Sequence, residues 1–284
     1  MKIKLLNSFA VIATAFSTIS VVHALDQENV ANSVIAAQRE ALAAATETEG
    51  FGPQSPRDLS TLTGENKRIF QRAPRYTQMN LCNVHFHEGA EHKGGEFTVY
   101  AGNGDGKGYG SGYLYSAELT KAELMPVEGE IDEGNLVPGD TIELHYVYTT
   151  AKITPGPTLG ACLSDSVANP QLRVEARVFV LVNDHYALDF GELTRVNKVN
   201  GYHQAINIPQ DMGVPIEYAG STTGPTYNEK GSPLQVSWSV RPNVAKVNIR
   251  TVGKWLESNI FDEKHAHGVR NLIVNPELLS SIDK

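Results

Sequence analysis

The chain is short of positive charge, of long apolar runs and of cysteine, and each shortage excludes something. Lysine and arginine number 24 against 32 aspartates and glutamates, for a formal net charge of −8 in 284 residues. An acidic protein lacks the basic surface that nucleic acid or an anionic membrane requires. Beyond residue 22 no stretch approaches the roughly 18 consecutive apolar residues of a spanning helix. There are only two cysteines, Cys82 and Cys162, enough for one disulfide or for two free thiols. Internal repeats are absent.

Present at the start is the anatomy of a secretory leader over residues 1–24. Lys2 and Lys4 give a basic start, a mostly apolar run extends from Leu5 to Val22, and Val22-His23-Ala24 gives a small-x-small ending suited to cleavage after Ala24. The run is too short and too polar for a membrane anchor. The expectation is a secreted or periplasmic protein, soluble and not membrane-bound once the leader is removed. Losing the leader removes two lysines and makes the remainder more acidic still. In an oxidising compartment the even cysteine count favours a disulfide between Cys82 and Cys162. The loop it closes is about 80 residues long, for a stabilisation of roughly 4 kcal/mol on a chain-entropy basis.

Residues 26–46 are rich in Ala, Gln and Glu and read as a helix, with Val30, Val34, Ile35 and Leu42 as a partial apolar stripe. Residues 47–64 carry Gly, Pro, Ser and Thr and read as a linker. Residues 25–64 thus read as an N-terminal helix and linker, and residues 65–284 as the main domain. Within that domain short strands bounded by turn residues are expected at Leu81–Glu88, Thr141–Thr149, Leu172–Val182, Leu234–Val240 and Lys246–Ile249. A short helix is expected over Lys254–Ile260. Residues 102–112 (GNGDGKGYGSG) carry six glycines. They lack the Gly-Lys-Ser/Thr ending of a phosphate loop and the closing glutamate of an EF-hand, and read as a flexible surface loop, with a lid or rim loop near the site as the alternative.

The chemistry sits in Cys82-Asn83-Val84-His85-Phe86-His87-Glu88-Gly89-Ala90-Glu91-His92. In a strand, alternate side chains share a face, so His85, His87 and Asn83 point one way while Val84 and Phe86 point into a core. Imidazoles about 7 Å apart along one strand can share a metal. In Thr141-Ile142-Glu143-Leu144-His145-Tyr146-Val147 the same alternation places Glu143, His145 and Val147 on one face. A neighbouring strand would bring His145 beside the first pair. Three histidines with one open position are a catalytic zinc set, not a structural one. Asn83 and Glu143 are placed to accept the outer ring N–H of a ligand histidine, which would orient the ring.

These segments resemble the α-type carbonic anhydrase pattern, in which Phe-His-Phe-His, a following Glu-His and a later Glu-Leu-His-x-Val supply the ligands and their neighbours. Glu91-His92 matches the Glu-His pair. Tyr218-Ala219-Gly220-Ser221-Thr222-Thr223-Gly224-Pro225 resembles the family's Tyr-x-Gly-Ser-Leu-Thr-Thr-Pro loop, and Val236-Ser237-Trp238 its Val-Thr-Trp strand. The wording around Asn83–His92 and the glycine loop are similar to δ-class carbonic anhydrases. The chain departs from the α pattern in having three residues between His87 and Glu91, and Thr222 and Gly224 where that pattern has leucine and threonine.

The resemblance implies a mainly β fold with short helices (α+β), built on a central, twisted, largely antiparallel sheet with the ligands on adjacent middle strands and an N-terminal helical extension. It implies one Zn2+ per chain, on His85, His87 and His145, and reversible hydration of CO2 to bicarbonate and a proton by zinc-bound hydroxide. Thr223 would orient the hydroxide and donate to Glu91, and Val147 and Trp238 would wall the CO2 pocket. His203 is the chosen proton carrier among His203, His185, His265 and His267. The oligomeric state, homodimer included, stays open. Two rivals remain: a cupin holding iron or manganese with Glu91 as a fourth ligand, and a carbonic-anhydrase-like binding protein without turnover.

Overall fold

The structure, a computed structural model, describes residues 29–68, 70–127 and 135–282. The expected leader lies outside the described residues. Among these residues no helix is long and apolar enough to cross a membrane.

The protein is mainly β. Its strands are β1 (Asn80–Glu88), β2 (Phe97–Asn103), β3 (Ser111–Tyr115), β4 (Thr141–Thr149), β5 (Leu172–Val182), β6 (Val196–Val199), β7 (Tyr202–Ala205), β8 (Ile216–Ser221) and β9 (Gln235–Asn248). Its helices are α1 (Asn32–Thr46), α2 (Phe190–Leu193) and α3 (Ile249–Glu257). Five strands form the central sheet in the order β1-β4-β5-β9-β8, and two hairpins, β2-β3 and β6-β7, lie beside it. All pairings in the sheet are antiparallel except β5 with β9.

Strands β4 and β5 run where the alternation placed them, and the two segments expected at 234–240 and 246–249 are the ends of one long strand, β9. The Arg241-Pro242-Asn243 interruption does not end it. Proline lacks a ladder N–H and weakens a strand pattern without forbidding a bulged strand, and the β5-β9 register shifts between Ala176 and Val178. Asn248 then caps α3 by accepting from the Arg250 N–H, so this helix begins five residues before the expected Lys254.

The sheet carries a core on each face. Val84, Phe86, Leu144, Tyr146 and Phe179 pack with Phe190 and Trp255 of α2 and α3 on one side. Val147, Val174, Val178, Tyr218, Trp238 and Val240 pack together on the other. That second face also bears the histidines. Cys82 and Cys162 form a disulfide that ties β1 to the short 3-10 turn Leu159–Cys162.

Three expectations change. Strand β1 lies at the end of the sheet order, not in its middle, so the ligand strands are adjacent but one is an edge. That edge is covered: His267 accepts from the Glu88 N–H and donates to the Phe86 carbonyl through its backbone, as an exposed edge demands. The segment read as a linker is buried from Pro53 to Arg57, held by Gln54 bonds to Gly52 and Ser232. The glycine loop is not a loose loop. It is the β2-β3 hairpin turn, clamped to Asn29, Val30 and Gln38 around α1 and to Val269 behind it. Gly104 has φ +54°, and a Cβ there would lie 1.9 Å from the Tyr109 carbonyl oxygen, so the turn requires glycine.

In α1, Ile35 and Leu42 are buried whereas Val34 is exposed. Leu42 meets Ile273, Leu278 and Leu279 of the C-terminal segment.

Candidate metal centre

In the β1-β4 ladder His85 lies directly opposite His145, and His87 opposite Glu143. Directly opposed residues on one face stand about 5 Å apart at Cβ. The side chains of His85, His87 and His145 accordingly converge, each offering a ring nitrogen within 4.8 Å of the others. All three are nearly buried, at 8%, 3% and 1% exposure.

The outer ring nitrogens are already engaged, and this assigns the inner ones. His85 Nδ1 lies 2.7 Å from Asn83 Oδ1, and His87 Nδ1 2.9 Å from the Gly268 carbonyl. His145 Nε2 lies 2.9 Å from Glu143 Oε1. A ring that donates from one nitrogen offers a lone pair at the other. The inward-facing set is therefore Nε2 of His85, Nε2 of His87 and Nδ1 of His145. His145 Nδ1 and His85 Nε2 are 3.4 Å apart, and with both as acceptors that approach calls for a cation between them. Burial, reinforced by the neighbouring imidazoles, lowers the pKa of all three, that of His87 to about 4. The rings are thus neutral, the form that ligates metal.

Glu143 anchors the arrangement. Its Oε1 also accepts from His92 Nδ1 at 2.6 Å, and its Oε2 from the His92 backbone N–H at 3.0 Å. His92 Nε2 in turn meets the Tyr218 hydroxyl at 2.6 Å. Burial opposes the charge on Glu143, but His92 and His145 beside it hold its carboxyl well below the usual range. His92, Glu143 and His145 also converge closely, but their facing atoms are spent on this hydrogen-bond chain.

Above the histidines opens a cavity of about 390 Å³. Its wall includes Thr223 and Glu91. The expected Thr223-to-Glu91 hydrogen bond is not formed: Thr223 Oγ1 is buried without a partner, and Glu91 Oε1 accepts instead from the Arg270 backbone N–H at 2.9 Å. Burial pushes the Glu91 carboxyl up. Glu91 is not among the converging ligand atoms, contrary to the fourth-ligand role a cupin would need. The approach of β8 to Ser55 depends on Gly220, where a Cβ would fall 2.1 Å from Ser55 Oγ.

Two expected wall residues part company. Trp238 lines the cavity, its ring edge-on to His145 at 5.0 Å and its Nε1 donating to the Ser221 carbonyl. Val147 does not. It is fully buried in the core beneath, although Asn83, its partner across the β1-β4 ladder, does reach the cavity. Leu159, on the disulfide-tethered turn, supplies the second apolar wall.

The proton-carrier choice also changes. His203 sits on the β6-β7 hairpin, its backbone N–H bonded to Asn80 Oδ1, and it does not line the cavity. His267 does, with Glu263. The His267 side chain is 39% exposed, its Nε2 lies 2.6 Å from Glu263 Oε2, and its ring centroid is 5.2 Å from that of His85. The edge pairing that brings it there is long-range and has no local pattern in sequence.

A mainly β protein with an open pocket over three converging neutral imidazoles has the form of a single-metal enzyme. A family model described as delta carbonic anhydrase matches residues 76–251, and the chain belongs to that family. It is a carbonic anhydrase, hence a metalloenzyme acting on CO2 and bicarbonate. Among solved structures it is similar to an alpha-carbonic anhydrase from Photobacterium profundum, at 16% identity and a TM-score of 0.27, covering 84% of this chain and 93% of that one. No curated protein matches. His267 and Arg270 lie beyond the span matched by the family model.

Proposed function

We propose that the chain is a zinc enzyme that hydrates CO2 reversibly, with the metal held by His85 Nε2, His87 Nε2 and His145 Nδ1. The observation that carries this reading is the tautomer pattern. Every outer nitrogen is engaged by Asn83, Gly268 or Glu143, so three neutral lone pairs face one point. Three imidazoles with an open position favour zinc over iron, which draws carboxylates into its sphere. Nothing favours the cupin or the binding protein without turnover.

Zinc in such a site lowers the pKa of water from about 16 to about 7. The residues do the rest. Thr223 Oγ1, buried and unpartnered, is free to accept a hydrogen bond from the attacking oxygen. Its own proton would then turn onto Glu91, a hydrogen bond that the structure leaves unmade, while Glu91 Oε1 is held by the Arg270 N–H. This holds the oxygen's lone pair toward the carbon, a positioning effect. Trp238 and Leu159 bound the apolar space for CO2, and His267 passes the released proton outward to solvent with Glu263 orienting its ring. The leader makes the protein secreted or periplasmic, a placement with which the disulfide agrees.

The test is stopped-flow CO2 hydration. Activity is expected to vanish with a chelator and to return with one equivalent of zinc. Restoration by iron and not by zinc contradicts the reading.

A further inference from the structure

A second cavity of about 220 Å³ lies behind the metal pocket, roofed by α1 and floored by the β2-β3 hairpin. Asn32, Ile35, Ala36 and Arg39 face it from the helix, a spacing that places them on one helical face. Glu91 lines both cavities, so the two share one carboxylate in their walls. A water occupies about 30 Å³ in the liquid, so the space holds a small ligand together with solvent.

Its charges are unequal. Arg39 and Arg270 both line it against the one carboxylate of Glu91. Arg39 Nε is buried with no hydrogen-bond partner, a costly state for a charged donor. The Arg270 guanidinium meets neutral oxygens, the Ser55 carbonyl at 2.7 Å and the Tyr227 carbonyl at 2.8 Å. Its nearest carboxylate, Glu91, is bound through the Arg270 backbone and not through the side chain. A positive cavity with an orphaned guanidinium donor suits a small planar oxyanion, whose geometry matches the guanidinium fork.

We propose that this cavity is a second anion site that binds bicarbonate, the product made on the other side of Glu91. The choice of bicarbonate rests on the carbonic anhydrase reading, while the anion preference rests on Arg39, whose Nε has no partner; Arg270 adds charge, its own donors being taken by the Ser55 and Tyr227 carbonyls. Glu91 lines this chamber as well as the metal pocket, so an anion held on Arg39 changes the charge surroundings of a residue in the metal pocket's wall. The clamp of α1 onto the glycine hairpin then has a purpose, because it closes this chamber.

The test is a crystal structure of the holoenzyme soaked in sodium bicarbonate, beside the same soak of Arg39→Gln. Planar triangular density against the Arg39 guanidinium is expected in the wild type and none in the variant. Its absence in the wild type, or its persistence in Arg39→Gln, overturns the proposal. In solution, bicarbonate should raise the wild-type melting temperature, and Arg39→Gln should lose at least half of that rise. An unchanged rise in Arg39→Gln means binding at crystal concentration only, and also overturns it. Density over His85, His87 and His145 is read separately, and its absence counts against the proposed function alone.

Discussion

The floor of the pocket and its mouth use histidine in opposite ways. On the floor, His85, His87 and His145 stand on paired strands, nearly buried, with each outer nitrogen fixed by a neighbour. At the mouth, His267 sits outside the named strands, its side chain 39% exposed, paired with one carboxylate. Strands fix three atoms against one point, as a metal requires. A half-exposed ring can take up a proton on one side and release it on the other. On the proposed reading the same side chain serves as a ligand or as a carrier according to what supports it.

The largest effect should follow from breaking the floor. His145→Ala leaves two ligands, and CO2 hydration should fall on the order of a thousandfold with loss of bound zinc, because the acidified water goes with the ion. Metal analysis beside stopped-flow rates checks this. Retention of both zinc and activity would falsify the ligand set. Glu143→Gln tests the support alone. It should weaken zinc affinity by about tenfold to a hundredfold, read by chelator competition, with activity restored at high zinc. Unchanged affinity would mean that the His145 ring needs no anchor.

The smallest effect lies at the mouth. His267→Ala should retain zinc and lower kcat in dilute buffer by about tenfold, with recovery as imidazole buffer is added. His203→Ala should leave the rate unchanged at every buffer concentration, since that ring lies off the pocket. The reverse result would return the proton path to the β6-β7 hairpin.

What was legible in the sequence follows the same division. Period-two alternation revealed which residues of Asn83–His87 and Glu143–Val147 share a face, because strand parity is local. The ligand set, Asn83 and Glu143 came from that rule together with the family resemblance. Val147 obeys the parity yet misses the cavity, since parity gives the face and not the depth. His267, Leu159 and Ser55 reach the pocket through an edge bridge, a disulfide-tethered turn and a buried connecting segment. These are contacts of long sequence separation that leave no periodic signal. The six glycines were visible, but their clamp onto α1 depends on two segments meeting that are far apart from the rest of the site.

The most direct test is zinc K-edge X-ray absorption on the holoenzyme. Three imidazole nitrogens and one oxygen near 2.0–2.1 Å are expected, on the distances typical of such sites, with one imidazole missing in any zinc-reloaded His145→Ala. A six-coordinate oxygen-rich shell, or a full set of three imidazoles in that variant, would contradict the account.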